Sequence, residues 1–216
     1  MTEGTKQSID LKGRVPQPYI AIEGPIGVGK TTLAQQLADL FDYQLLLEDA
    51  HENPFLSKFY ENRRQNALAT QLFFLFQRVQ KIDDLKQQDL FRPLRVADFL
   101  IDKDPLFAQV NLDADEYELY SKVYSQMTVD APTPDLVIYL QASVDRLLER
   151  IDRRGIASER TISRQYLEEL NEVYSEFFLY YDAAPLLIVN ANQIDLVDRH
   201  EDFAQLVDYA LDIKAG

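Results

Sequence analysis

One stretch, Gly24-Pro25-Ile26-Gly27-Val28-Gly29-Lys30-Thr31, constrains this chain more than any other, because it fills the pattern G-x-x-x-x-G-K-[ST] in a telling context. Ahead of it, Tyr19-Ile20-Ala21-Ile22 reads as a buried strand. Behind it, Leu33, Leu37, Leu40 and Phe41 recur at helical spacing, so the loop joins a strand to an amphipathic helix. Glycines let such a loop curl until consecutive N–H groups point at phosphate oxygens, and the helix N-terminus adds partial positive charge. Lys30 can reach the terminal phosphates and the Thr31 hydroxyl can ligate Mg²⁺. The nucleotide contacts expected are therefore Gly24, Pro25, Ile26, Gly27, Val28, Gly29, Lys30, Thr31 and Thr32. A glycine-rich turn with an incidental lysine is the alternative, and the flanking strand and helix weigh against it.

Further strand-like runs, Gln44–Glu48, Leu94–Asp98, Leu136–Leu140 and Leu186–Asn190, alternate with longer helical patterns over Phe55–Gln88 and Asp115–Thr128. Short runs rich in Leu, Ile and Val suit a parallel sheet buried on both faces, which makes the class α/β. With 216 residues, 46% of them hydrophobic, the chain fits one domain, residues 18–216, behind a polar, flexible lead-in at 1–17 from which Arg14 or Lys12 could fold over a neighbour. A formal charge of −14 argues against nucleic acid or an anionic membrane as partner, since both demand clustered Lys and Arg. There is no cysteine, which is compatible with a reducing cytoplasm, and no apolar run long enough for a bilayer.

The second strand ends in Glu48. Ligands of open α/β sheets sit outside the strands' carboxyl ends, so Glu48 should face the phosphate loop, where it could take a proton from an attacking hydroxyl or position Mg²⁺ through water. A solvent-facing strand-end acid is the plainer alternative. His51 and His200 read as solvent-facing. Farther along, Arg146, Arg150 and either Arg153 or Arg154 fall on one face of a helix that Gly155 ends. Such cations can close over a transferring phosphoryl group as a lid, unless Asp145, Glu149 and Asp152 hold them in surface salt bridges.

In motif order, roughly from Tyr19 to the C-terminus, the chain resembles the deoxynucleoside kinases. The segment Glu48-Asp49-Ala50-His51-Glu52-Asn53-Pro54-Phe55-Leu56 is similar to that of the bacterial members, and Tyr60, Gln71 and Arg78 keep the family's spacing. The resemblance implies a P-loop kinase three-layer fold, a five-stranded parallel sheet flanked by helices with an Arg-rich helical lid over about 146–162. It also implies ATP as donor, a deoxynucleoside as acceptor, salvage in the cytoplasm and a homodimer. By the same resemblance Glu48, Lys30, Arg150 and Arg154 are catalytic, Tyr60 and Glu159 hold the sugar 3′-hydroxyl, Gln71 and Arg78 read the base, and the loop Ala191–Asp195 lies near adenine. A purine is favoured, because Gln71 and Arg78 can pair with purine edges.

The third strand departs from the family pattern. Asp98 can serve beside Thr31 as the acidic Mg²⁺ partner, but Phe99 stands where the family carries Arg. Downstream, the acid that cooperates with Arg78 falls on Asp104 or, anchored differently, gives way to Lys103. Another cation could occupy the missing arginine's space. Two other readings stay open: a thymidylate-type monophosphate kinase, which would use Arg63 and Arg64 as extra cations, and a nucleotide-dependent switch, which the lack of an N-K-x-D motif disfavours.

Overall fold

The computed structural model describes residues 9, 11, 13–88, 94–127, 131–196 and 199–213, which leaves Lys12 outside. Five strands, β1 (Tyr19–Glu23), β2 (Gln44–Leu46), β3 (Arg95–Ala97), β4 (Leu136–Gln141) and β5 (Leu186–Asn190), form one parallel sheet in the order β2-β3-β1-β4-β5. The helices are α1 (Lys30–Phe41), α2 (Leu56–Glu61), α3 (Arg63–Gln88), α4 (Asp104–Asn111), α5 (Ala114–Met127), α6 (Val144–Arg154), α7 (Arg164–Leu179) and α8 (His200–Asp212). β1, β3 and β4 are buried throughout apart from Gln141, because crossover helices cover both faces of the sheet. None of the described helices is long and apolar enough to cross a membrane.

β2 stops at Leu46, two residues earlier than its apolar run suggests. The Glu48 N–H donates to the Asp98 side chain (2.6 Å), so a carboxylate replaces the ladder at that point and lifts the chain out of the sheet. β3 likewise closes at Ala97, and Asp98 N–H donates back to Leu46 O (3.0 Å). The two acids are thereby fixed side by side beyond the strand ends. Residues 13–17, expected to be a flexible lead-in, include two anchors. Arg14 pairs with Asp208 and with Asp212 (2.7 Å), and Gln17 donates to Ile213 O (2.7 Å).

Candidate active site

Glycine conformation shapes the loop after β1. Gly24 has φ +149°, and a Cβ there would lie 2.4 Å from Leu140 O, so only glycine lets the loop turn this close to β4. At Gly29, φ is +108° with open space where a side chain would stand, just before the N-terminus of α1. Lys30 folds along the loop and donates to Gly24 O (2.7 Å) and Pro25 O (3.3 Å). Burial pulls its amine below the usual lysine range, against the opposing pull of Glu23, Glu48 and Asp98.

Outside this loop lies a cleft of about 290 Å³. Its walls are Gly27–Thr32, three arginines of α6 (Arg150, Arg153 and Arg154), and the loop after β5 through Ala191, Ile194, Asp195 and Leu196. The α6 arginines divide their work. Arg150 donates to Val28 O (2.8 Å), Ala191 O (2.9 Å) and Ile194 O (3.2 Å), tying the phosphate loop to the β5 loop. Arg154 pairs with Glu159 (2.6 Å), and Arg146 with Glu149 (2.6 Å) on the surface. Asp145 pairs instead with Arg164 of α7 (2.6 Å). Gly155, φ +70°, ends α6 as its place in the sequence suggests.

On the other side of the loop, Thr31 and Asp98 meet directly, hydroxyl to carboxylate at 2.7 Å. Burial raises the Asp98 carboxyl, and the bonds from Thr31 and the Glu48 N–H work against that rise. A hydroxyl and a carboxylate at a phosphate loop are hard oxygen donors of the kind Mg²⁺ takes alongside nucleotide phosphates, so this pair fits the ion. Past them opens a second cavity. Its lining includes Lys30, Glu48, Lys103, Gln71, Phe74 and Arg78, with Glu48 and Arg78 in direct contact, and also Tyr60, Arg154 and Glu159.

Arg78 is buried between two carboxylates, Glu48 and Asp104. Burial opposes its charge, but Asp104, Glu48 and Glu23 outweigh that and hold it above the usual arginine range. Burial would raise Glu48 too, but Arg78, Lys103 and Lys30 bring its carboxyl below the usual range, leaving it ionised at neutral pH. Asp104 is pushed up to about 6 by burial despite Arg78 and Lys103. The choice between Asp104 and Lys103 is thus resolved: Asp104 meets Arg78, while Lys103 turns to Glu23. Gln71 is buried and its amide has no hydrogen-bond partner among the described residues.

Some expected candidates lie elsewhere. His51 and His200 are exposed. Phe76 is exposed, and of the three clustered rings only Phe74 lines the cavity. Arg63, the cation a monophosphate acceptor would call on, is committed to Glu169 (3.0 Å) and stacked on Tyr166 (4.1 Å). Sequence reasoning missed Glu23, whose only signal was its position before Gly24, and it left Arg153 as an either-or with Arg154, although both line the cleft.

Comparison with known proteins accords with this geometry. The deoxynucleoside kinase family model matches residues 20–213. A deoxyguanosine kinase of Bacillus subtilis is 37% identical over 88% of this chain and 94% of its own, and a deoxyadenosine/deoxycytidine kinase of the same organism is 30% identical over 88% and 89%. Among solved structures, a deoxyadenosine kinase of M. mycoides with bound dATP superposes with a TM-score of 0.76 at 27% identity, covering 88% of this chain and 97% of its own. A phosphate loop facing a carboxylate-lined cavity, on a chain matched by the family from β1 to beyond α8, makes this protein a member of the deoxynucleoside kinase family, a phosphotransferase that acts on a hydroxyl acceptor.

Proposed function

We propose that the enzyme transfers the γ-phosphoryl group of ATP to the 5′-hydroxyl of a 2′-deoxypurine nucleoside. The observation that carries this is one cavity lined together by Lys30 of the phosphate loop, the ion pair Glu48–Arg78 and the unpartnered amide of Gln71, with buried Asp104 as the second partner of Arg78. Glu48, ionised at neutral pH, accepts the proton of the 5′-hydroxyl. Tyr60 and Glu159 receive the sugar 3′-hydroxyl, and Gln71 with Arg78 reads the base against Phe74. The loop from Gly24 to Thr32 cradles the donor's phosphates, and residues 191–195 flank its base. Thr31 and Asp98 would hold Mg²⁺, which offsets phosphate charge when bound. α6 and the turn after it, about 146–162, close over the phosphates as a lid of a single domain running from residue 18, and bring Arg150 and Arg154 to bear in the transition state.

Names of relatives support the purine reading: a deoxyguanosine kinase of B. subtilis, and a deoxyadenosine kinase of Lactobacillus acidophilus at 29% identity. A competition among deoxyadenosine, deoxyguanosine, deoxycytidine and thymidine at equal concentration, with ATP and Mg²⁺, tests it. One of the two purines is expected to dominate; a tenfold or greater lead for thymidine or deoxycytidine overturns the base preference. Action in the cytoplasm and assembly as a homodimer follow from the family resemblance, and light scattering tests the second.

A further inference from the structure

Lys103 is one of the largest fully buried side chains and the only lysine among the described residues that lines the acceptor cavity besides Lys30. It lies in the 3₁₀ turn Ile101–Lys103, just before α4. Its ammonium contacts both oxygens of Glu23, at 3.0 and 3.1 Å. Glu23 in turn accepts from Gly24 N–H (2.8 Å), Leu100 N–H (3.0 Å) and the Tyr174 hydroxyl (2.8 Å). One carboxylate therefore fixes Lys103 to the first residue of the phosphate loop.

A buried ion pair is a poor way to stabilise a fold, because desolvation offsets most of its attraction and an apolar pair of equal volume does as well. The other cations of this cavity have obligations: Arg78 to Glu48 and Asp104, Arg154 to Glu159. An ammonium has three donors, and one carboxylate engages two at most in this geometry. Beyond Glu23 the ammonium faces the Phe107 ring (5.2 Å to its centre), itself part of the cavity lining, so among the described residues no oxygen or nitrogen takes the third donor. Glu23, being saturated by other donors, holds the ammonium in place. Phe99, immediately after Asp98, supplies no charge on this side.

Building on the kinase reading above, we infer that Lys103 is a phosphate-side cation of the acceptor cavity, which meets the phosphoryl group as it arrives on the nucleoside and is aimed by Glu23. It complements Lys30, which approaches from the donor side. A cation in this role favours the transition state and the phosphorylated product over the nucleoside itself.

The test compares wild type, Lys103→Met and Lys103→Arg in steady-state kinetics with deoxyguanosine and deoxyadenosine, and titrates each protein with deoxyguanosine and with its 5′-monophosphate. Lys103→Met should lower kcat by roughly tenfold or more and weaken the monophosphate to a similar degree, with deoxyguanosine affinity within about twofold; Lys103→Arg should recover much of both. Should Lys103→Met fail to fold, the Glu23→Gln/Lys103→Met pair removes both buried charges, and the same selective loss is expected of it. Unchanged kcat and monophosphate affinity, or equal loss of nucleoside and monophosphate, overturns the inference. So does a paired variant that cannot fold, since Lys103 is then structural. Wild-type protein that phosphorylates no nucleoside would instead sink the kinase reading.

Discussion

Glu48 carries two duties, and its substitution separates them. It is an ionised carboxylate at the mouth of the phosphate loop and one of two partners of the Arg78 guanidinium. Glu48→Gln keeps the volume and a hydrogen-bond acceptor for Arg78 while removing the proton acceptor. Turnover with both substrates saturating should therefore fall about 100-fold or more, with a smaller change in nucleoside KM. If KM rises and kcat holds, Glu48 binds substrate without accepting its proton. The sequence made Glu48 legible because the signal is local, an acid closing an apolar run. Asp104 and Lys103 were not separable on the same grounds. They are adjacent, and which of them turns toward Arg78 depends on where α4 begins against α3 and α7, a matter of tertiary packing.

At the scale of the element, α6 is the most divided structure in the molecule. Its motif and its terminating glycine were plain in the sequence, but the different surroundings of Arg150 and Arg154 were not. Arg150 bonds three backbone carbonyls on two loops, whereas Arg154 is exposed and, among the described residues, pairs with Glu159 alone. Arg150→Ala should thus lose both activity and melting temperature, because orphaned carbonyls and a loosened β5 loop follow. Arg154→Ala should lose kcat with stability within about ±0.5 kcal/mol, as for an exposed pair. Thermal melts beside single-turnover rates distinguish the two, and equal stability losses would contradict the division. No spacing in the sequence announces Arg150's carbonyl partners, since they lie 41 to 122 residues away.

For the whole molecule, the buried charges make stability depend on pH in a direction that can be fixed. Burial lifts Asp104 from an ordinary 3.8 to about 6, so its ionisation opposes folding: the native state is favoured by this group at low pH and loses that advantage as pH rises from about 4 to 6. Asp104→Asn holds the site in its neutral form. Relative to wild type, the variant should gain stability between pH 4 and pH 7, by on the order of 2 kcal/mol. A variant that instead loses ground with rising pH would mean that Arg78 more than compensates for burial. The parallel sheet was readable from the alternation of short apolar runs with helices, because parallel strands buried on both faces leave that imprint, whereas the order of its strands was not, because it depends on which strands pair across the crossovers. Glu23's network was not, because its partners Leu100, Lys103 and Tyr174 are 77 to 151 residues distant.

The clasp between Arg14 and α8 joins residues 194 and 198 positions apart. Contacts of such separation come late on a folding route, once the sheet between them has formed and the loop they close has already been shortened by other pairings. A clasp formed after the folding barrier acts on how quickly the molecule comes apart and leaves the rate of assembly alone. Arg14→Ala is expected to speed unfolding by no more than a few-fold, as befits so exposed a pair, with refolding unchanged in a denaturant series, and slower refolding would place the clasp before the barrier.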